Sequence, residues 1–179
     1  MRNPLRALLR EPRPSAPPDR VWRDWALLAC VLVAALLEGV FREDIPQRGL
    51  AVAVTLGLSP LLLWRRTHPF AVVAATFGAV GVVDLLLLAA GRPMLAMNTL
   101  VYLMVLPYAL VRWGSGREAA AGAAVILLPA GLSLVTDWTG VAEAVGGIAL
   151  LLASCALGWA VRAQHGTRER RMEQVKAEE

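Results

Sequence analysis

Polar positions are scarce along this chain, and they cluster. Six apolar runs, at 25–41, 49–64, 70–90, 94–111, 119–136 and 141–161, are separated by short stretches that carry most of the charge. Each run is near the ~20 residues, range about 17–25, that a helix rising about 1.5 Å per residue needs to cross a bilayer's hydrocarbon. Within a run the apolar residues are continuous rather than alternating, which argues against half-buried strands. A helix also satisfies its own backbone hydrogen bonds where water is absent. The pattern predicts an all-α membrane protein, a polytopic bundle of about six transmembrane helices. The second, third and fourth runs are joined only by 65–69 and 91–93, which read as hairpin turns.

Composition agrees. At 57% hydrophobic and 18% charged over 179 residues, the chain carries more apolar surface than one soluble core of this size would use. The net charge of +4 raises nucleic acid as a partner. The basic residues, however, sit in short clusters between apolar runs rather than along one face, so we read them as membrane-surface charge and expect no nucleic acid.

Their distribution sets an orientation. With a cytoplasmic N-terminus, the inner segments hold Arg2, Arg6, Arg10, Arg13, Arg20, Arg23, Arg65, Arg66, Arg112, Arg117, Arg162, Arg168, Arg170, Arg171 and Lys176. The outer segments hold only Arg42, Arg48 and Arg92. This positive-inside bias predicts a multi-pass protein of the plasma membrane with both termini cytoplasmic. Trp22, Trp25, Trp64, Trp113, Trp138 and Trp159 all fall at or near span ends, where the amphipathic indole prefers the interface. Three parts follow: a basic, proline-containing arm (1–24), the six-span domain (25–161) and a cytoplasmic helix (162–179). The arm has five prolines and is expected to be extended and poorly ordered, and no small-x-small cleavage site follows the first run, so that run reads as an uncleaved anchor.

Nucleotide and hydrolase signatures are missing: there is no GxGxxG, phosphate-binding loop, HExxH, GxSxG or CxxC. We expect no catalytic residue, metal site or cofactor on this chain. Cys30 and Cys155 lie inside spans one and six without a second ligand and read as small packing residues. His68 sits in an inner turn with no carboxylate beside it in sequence to orient it as a base. The candidate site is therefore the polar minority within the spans. Glu38, Asp84, Asn98, Asp137 and Glu143 share the outer leaflet, with Arg42 and Arg92 as candidate partners. Ionisable groups in a bilayer usually face the bundle interior or a wet cavity, so these residues outline a sensing pocket; the alternative is that carboxylates near the interface simply snorkel. Asp84, the deepest, is expected to face the interior near Glu38 or Arg92.

Pro60, Pro107 and Pro129 should kink spans or mark their ends. Small residues in AAAGAA (119–124) and the Ser154–Gly158 spacing permit close helix approach, within the bundle or across a dimer. Beyond span six, WAVRAQHGTRERRMEQVKAEE contains no proline, and a helix over 159–179 would extend ~30 Å from the membrane. Val161, His165, Arg168, Met172, Val175 and Glu179 carry a weak heptad spacing, which a solvated charged helix would also allow.

The order of a basic leader, PPDRVWRDWALLACVLVAALLEGVF, SPLLLWRRTHPFAVVAA, LVYLMVLPYALVRWGSGREA and RERRMEQVKAEE resembles the N-terminal membrane domain of actinobacterial two-component sensor histidine kinases. These belong to the class that signals to response regulators with LuxR-type DNA-binding domains. The resemblance covers essentially the whole chain, and its most specific piece is the inner turn PLLLWRRTHP, with Pro60, Trp64, Arg65, Arg66 and Pro69. It implies a homodimeric receptor in the lipid bilayer, in which the helix after span six leads to a dimerising, phosphoaccepting helical pair and an ATP-binding domain. In that family a run like VKAEE precedes an Arg-x-x-Ile-Ala-x-Glu-Leu-His-Asp box. No such box lies within residues 1–179, so neither His68 nor His165 inherits the phosphoacceptor role, and the chain alone is expected to lack kinase activity. Two other classes stay open. A small transporter should show repeat symmetry between 25–90 and 94–161, which is not convincing here, and a structural or partner-binding membrane subunit would need no pocket.

Overall fold

A computed structural model describes residues 11–13, 21–136 and 140–178, apart from the side chains of Glu143 and of residues 165–178. The elements in order are α1 (Trp22–Phe41), α2 (Arg48–Leu58) with a 3₁₀ continuation (Ser59–Trp64), α3 (Pro69–Ala89), a second 3₁₀ segment (Asn98–Met104) running into α4 (Val105–Trp113), α5 (Gly116–Thr136) and α6 (Val141–Glu178). No strand occurs among the described residues. Four stretches are helical, long and apolar enough to cross a membrane: Trp22–Phe41, Pro69–Ala89, Gly116–Thr136 and Ala144–Gln164.

Local chemistry sets the helix ends. α1 begins at Trp22, ahead of the apolar run, because Asp24 closes its first turn: the Val21 N–H donates to Asp24 Oδ2 at 3.2 Å while the Asp24 N–H donates to the Val21 carbonyl. An acid there also complements the helix dipole. Pro69 opens α3 at a position where its missing N–H costs nothing. α3 stops in a Schellman turn. Gly91 adopts φ +66°, a left-handed conformation suited to glycine, its N–H donates to the Leu88 carbonyl, and the Arg92 N–H donates to the Leu87 carbonyl at 2.8 Å.

The second and fourth runs depart from regular α-helix. Pro60 has no N–H to give the Leu56 carbonyl, and its ring crowds that carbonyl, so α2 gives way to 3₁₀ at Ser59. Pro107 likewise deprives the Leu103 carbonyl of its α-helical donor, and the 3₁₀ turns lie just before it. The run expected to be helical from 94 becomes so only at Asn98. Pro93 disfavours the helical conformation at Arg92, and the Leu95 N–H is taken by Asp84 Oδ1 at 2.9 Å. Pro129 lies inside α5, which continues to Thr136.

α1 packs against α2 and both 3₁₀ segments, α3 against α4 and α5, and α4 most extensively against α6. The main core gathers Val31, Leu62, Val72, Val73, Phe77, Tyr102, Leu103, Leu106, Leu110 and Ile126. A smaller cluster joins Ala35, Ile45, Ala51 and Met97 near the other end of α1. Two glycines set the closest approaches: a Cβ on Gly122 would collide with the Leu110 side chain, and one on Gly158 would lie 2.7 Å from the Tyr108 carbonyl oxygen. Gly122 and Gly158 thus serve packing against α4.

Candidate functional site

Three polar junctions tie these helices together. At the end of α1, the Glu38 carboxylate accepts from the backbone N–H groups of Asn98 (2.6 Å) and Thr99 (2.7 Å), from the Thr99 hydroxyl, and from Arg42 Nη1 at 2.6 Å. The first N–H groups of a helix have no partner within it. Glu38 supplies one from another helix, clamping α1 to the start of the Asn98–Met104 segment. Arg42 also donates to Asp44 at 2.8 Å, and this guanidinium holds the Asp44 carboxyl below the usual carboxylate range.

At the opposite end of α1, Asp24 is buried beneath the turn after the Ser59–Trp64 segment. Its Oδ1 accepts from Arg65 Nη2 at 2.6 Å and Arg66 Nη2 at 2.9 Å, and Arg65 Nη1 donates to the Leu62 carbonyl at 2.9 Å. Burial lowers the Arg65 guanidinium from its ordinary value, an effect that Asp24 opposes. The paired arginines of PLLLWRRTHP are therefore internal partners of one carboxylate as well as surface charge. Within the same motif, Pro60 sets the 3₁₀ turn and Pro69 starts α3. The Trp64 carbonyl accepts from the His68 N–H at 2.9 Å, closing the turn, and His68 Nδ1 lies 3.1 Å from the Thr67 hydroxyl.

The third junction lies where α6 leaves the bundle. Arg162 Nη1 donates to the carbonyls of Val111 (3.0 Å) and Gly114 (2.7 Å), at the C-terminal end of α4, where a cation is favoured. Its Nη2 donates to the Pro12 carbonyl at 2.9 Å and faces Glu11 at 3.3 Å. The Gly116 N–H donates to the Glu11 carbonyl, and Arg13 forms a two-pronged ion pair with Glu118. Residues 11–13 of the arm expected to be disordered are thus strapped across the α4–α5 turn and α6.

Of the candidate residues, the structure joins Glu38, Arg42 and Asn98. Asp84 lies apart: among the described residues it accepts from Leu95 and makes no bond to Glu38 or Arg92. Arg92 borders a separate apolar cleft. Asp137 lies outside the described residues, as does the Glu143 side chain. The sequence reading missed Asp24, Glu11, Arg13, Glu118 and Arg162 as structural partners. Asp24 was the accessible one, because a first span running outward and a second returning place its start level with Arg65 and Arg66. The partners of Arg162 are mostly backbone carbonyls, which leave no sequence signal.

Among the described residues, no group of three or more His, Cys, Asp or Glu side chains is placed to hold a metal ion. Cys30 is exposed on α1 and Cys155 half-buried on α6. What the junctions do chemically is fix helices, two at the ends of α1 and one at the root of α6. Comparison with protein-family models, with curated proteins and with solved structures gave no match.

Proposed function

We propose that the chain is the membrane-embedded input domain of a two-component sensor histidine kinase, with six spans, both ends cytoplasmic and α6 as the transmission element. The observation that carries this reading is α6 itself. It runs unbroken for 38 residues from Val141 to Glu178, its apolar part ends near Gln164, and Arg162 grips α4 at that boundary. A displacement of α4 against α6 within the bilayer is thereby carried along a stiff rod into water.

Six crossings are supported by length as well as charge. The α2 unit has 11 α and 6 3₁₀ residues, and the α4 unit 7 3₁₀ and 9 α residues. At about 1.5 and 2.0 Å per residue each spans about 28 Å, close to the ~30 Å hydrocarbon layer. The 3₁₀ turns lengthen two segments that would fall short as pure α-helix. The kinase assignment rests on the resemblance carried by PLLLWRRTHP and the charged helix after Trp159.

The test is a graft. Residues 1–179 are joined in frame to the dimerisation and ATP-binding portion of a related kinase, and one to seven residues are inserted after Arg168. Kinase output should vary with the insertion and recover near seven, where two helical turns restore the facing surface to within about 20°. Output indifferent to every insertion would reduce α6 to a tether and remove the signalling assignment.

A further inference from the structure

A cleft of about 320 Å³ opens between α2 and α3, lined by Leu50, Val83, Leu86, Leu87, Ala90 and Arg92. Five of the six residues are apolar, and Leu86 and Leu50 are exposed within it, at 65% and 41%. The sixth, Arg92, is exposed, and its backbone N–H closes the Schellman turn on the Leu87 carbonyl, which sets the root of its side chain at the rim.

Charge at this end of the bundle is unevenly satisfied. Glu38 and Asp44 are both engaged by Arg42, and Asp84 is turned to the Leu95 N–H. Glu43 is an exposed acid on the 42–47 turn. Among the described residues Arg92 takes part in no side-chain ion pair. A cation at the rim of an apolar, lipid-facing cleft matches one kind of molecule: an anion attached to a hydrocarbon chain.

We propose that this cleft binds an anionic phospholipid, with its phosphate at Arg92 and an acyl segment along Leu50, Val83 and Leu86. The proposal rests on the membrane-spanning reading of the chain and does not depend on the kinase assignment. A lipid seated there touches α2 and α3 together, and α2 leads directly into the 3₁₀ turn, so the site makes lipid composition an input to the bundle.

The experiment is native mass spectrometry of the full chain, purified in detergent and titrated with palmitoyl-oleoyl phosphatidylglycerol or with the zwitterionic phosphatidylcholine of the same chains. Phosphatidylglycerol should be retained preferentially. Arg92→Gln should reduce that retention about fivefold, the loss of one lipid-facing cation, and Leu86→Trp, which fills the cleft from an exposed position, should reduce it as well. Arg23→Gln, an exposed arginine at the opposite end of α1, should leave it unchanged. Equal retention of the two lipids, an unchanged Arg92→Gln or Leu86→Trp, or an equal loss in Arg23→Gln overturns the site. Alkaline carbonate extraction separates the two levels of failure. A chain washed from membranes refutes the membrane reading itself, whereas a retained chain without lipid preference refutes only this proposal.

Discussion

α3 and α6 are both long enough to span a bilayer and nearly equal in hydropathy, yet 28% of the apolar stretch of α3 is buried inside the bundle against 6% for α6. In water such a difference would mark α6 as unstable. In lipid it does not, because hydrocarbon tails solvate an exposed leucine as well as a neighbouring helix would, and helix association rests on close packing and polar contacts instead. The main core, to which α1, the Ser59–Trp64 turn, α3, the Asn98–Met104 segment, α4 and α5 all contribute, is accompanied by the Asp24 and Glu38 junctions at the two ends of α1. α6 is held by the notch at Gly158 and by the Arg162 contacts. The lesson is that α6 turns most of its apolar surface to lipid and joins the bundle chiefly through its extensive packing on α4, so burial locates the frame and α4 is the route by which α6 is coupled to it.

The comparison breaks most readily at Asp24. Replacing it with alanine leaves Arg65 and Arg66 without their carboxylate, a loss of about 3–5 kcal/mol for a buried charge stripped of its partner. Unfolding by dodecyl sulfate titration should show it, and the double variant Asp24→Leu/Arg65→Met should recover much of the loss. A cost below about 1 kcal/mol for Asp24→Ala would mean that water reaches the cluster.

Gly158→Leu comes next. Its side chain meets the Tyr108 carbonyl and Val111, and overpacking of this kind costs about 1–3 kcal/mol. We expect α6 to separate from α4 while the α1–α3 frame persists, seen as faster proteolysis after Trp159 with little change in the unfolding midpoint of the frame. Cooperative loss of both halves would contradict the division. The smallest effect is assigned to Ile148→Ala on the lipid-facing side of α6, where Ile148 is 49% exposed: less than about 0.5 kcal/mol in the same titration.

Much of this architecture was legible in the chain. Continuous apolar runs fix helices in lipid almost without regard to partners, so the positions of α1, α3, α5 and α6 followed from hydropathy. The turn chemistry at Pro69 was visible too, whereas the connection expected at 91–93 is longer: α3 ends at Ala89 and helix resumes only at Asn98. The 3₁₀ character of Ser59–Trp64 and Asn98–Met104 was hidden, because a proline announces a disturbance without choosing between a kink, an end and a tighter helix. The polar site was read by depth alone. Depth grouped Glu38, Arg42 and Asn98, which the structure joins by hydrogen bonds, but it could not tell that the acceptors for Arg162, the donor to Asp84 and two of the donors to Glu38 would be backbone groups.

The two short units, α2 and α4 with their 3₁₀ turns, decide whether the bundle crosses the membrane six times. In a background where Cys30 and Cys155 are alanine, single cysteines at Glu43, Thr67 and Ser115 are exposed to a membrane-impermeant maleimide in intact cells and again after permeabilisation. The account predicts that Glu43→Cys reacts in intact cells, while Thr67→Cys and Ser115→Cys react only once the membrane is opened. Labelling of Glu43→Cys and Thr67→Cys from the same side would show that Arg48–Trp64 does not cross, and would contradict the six-span frame on which α6 depends.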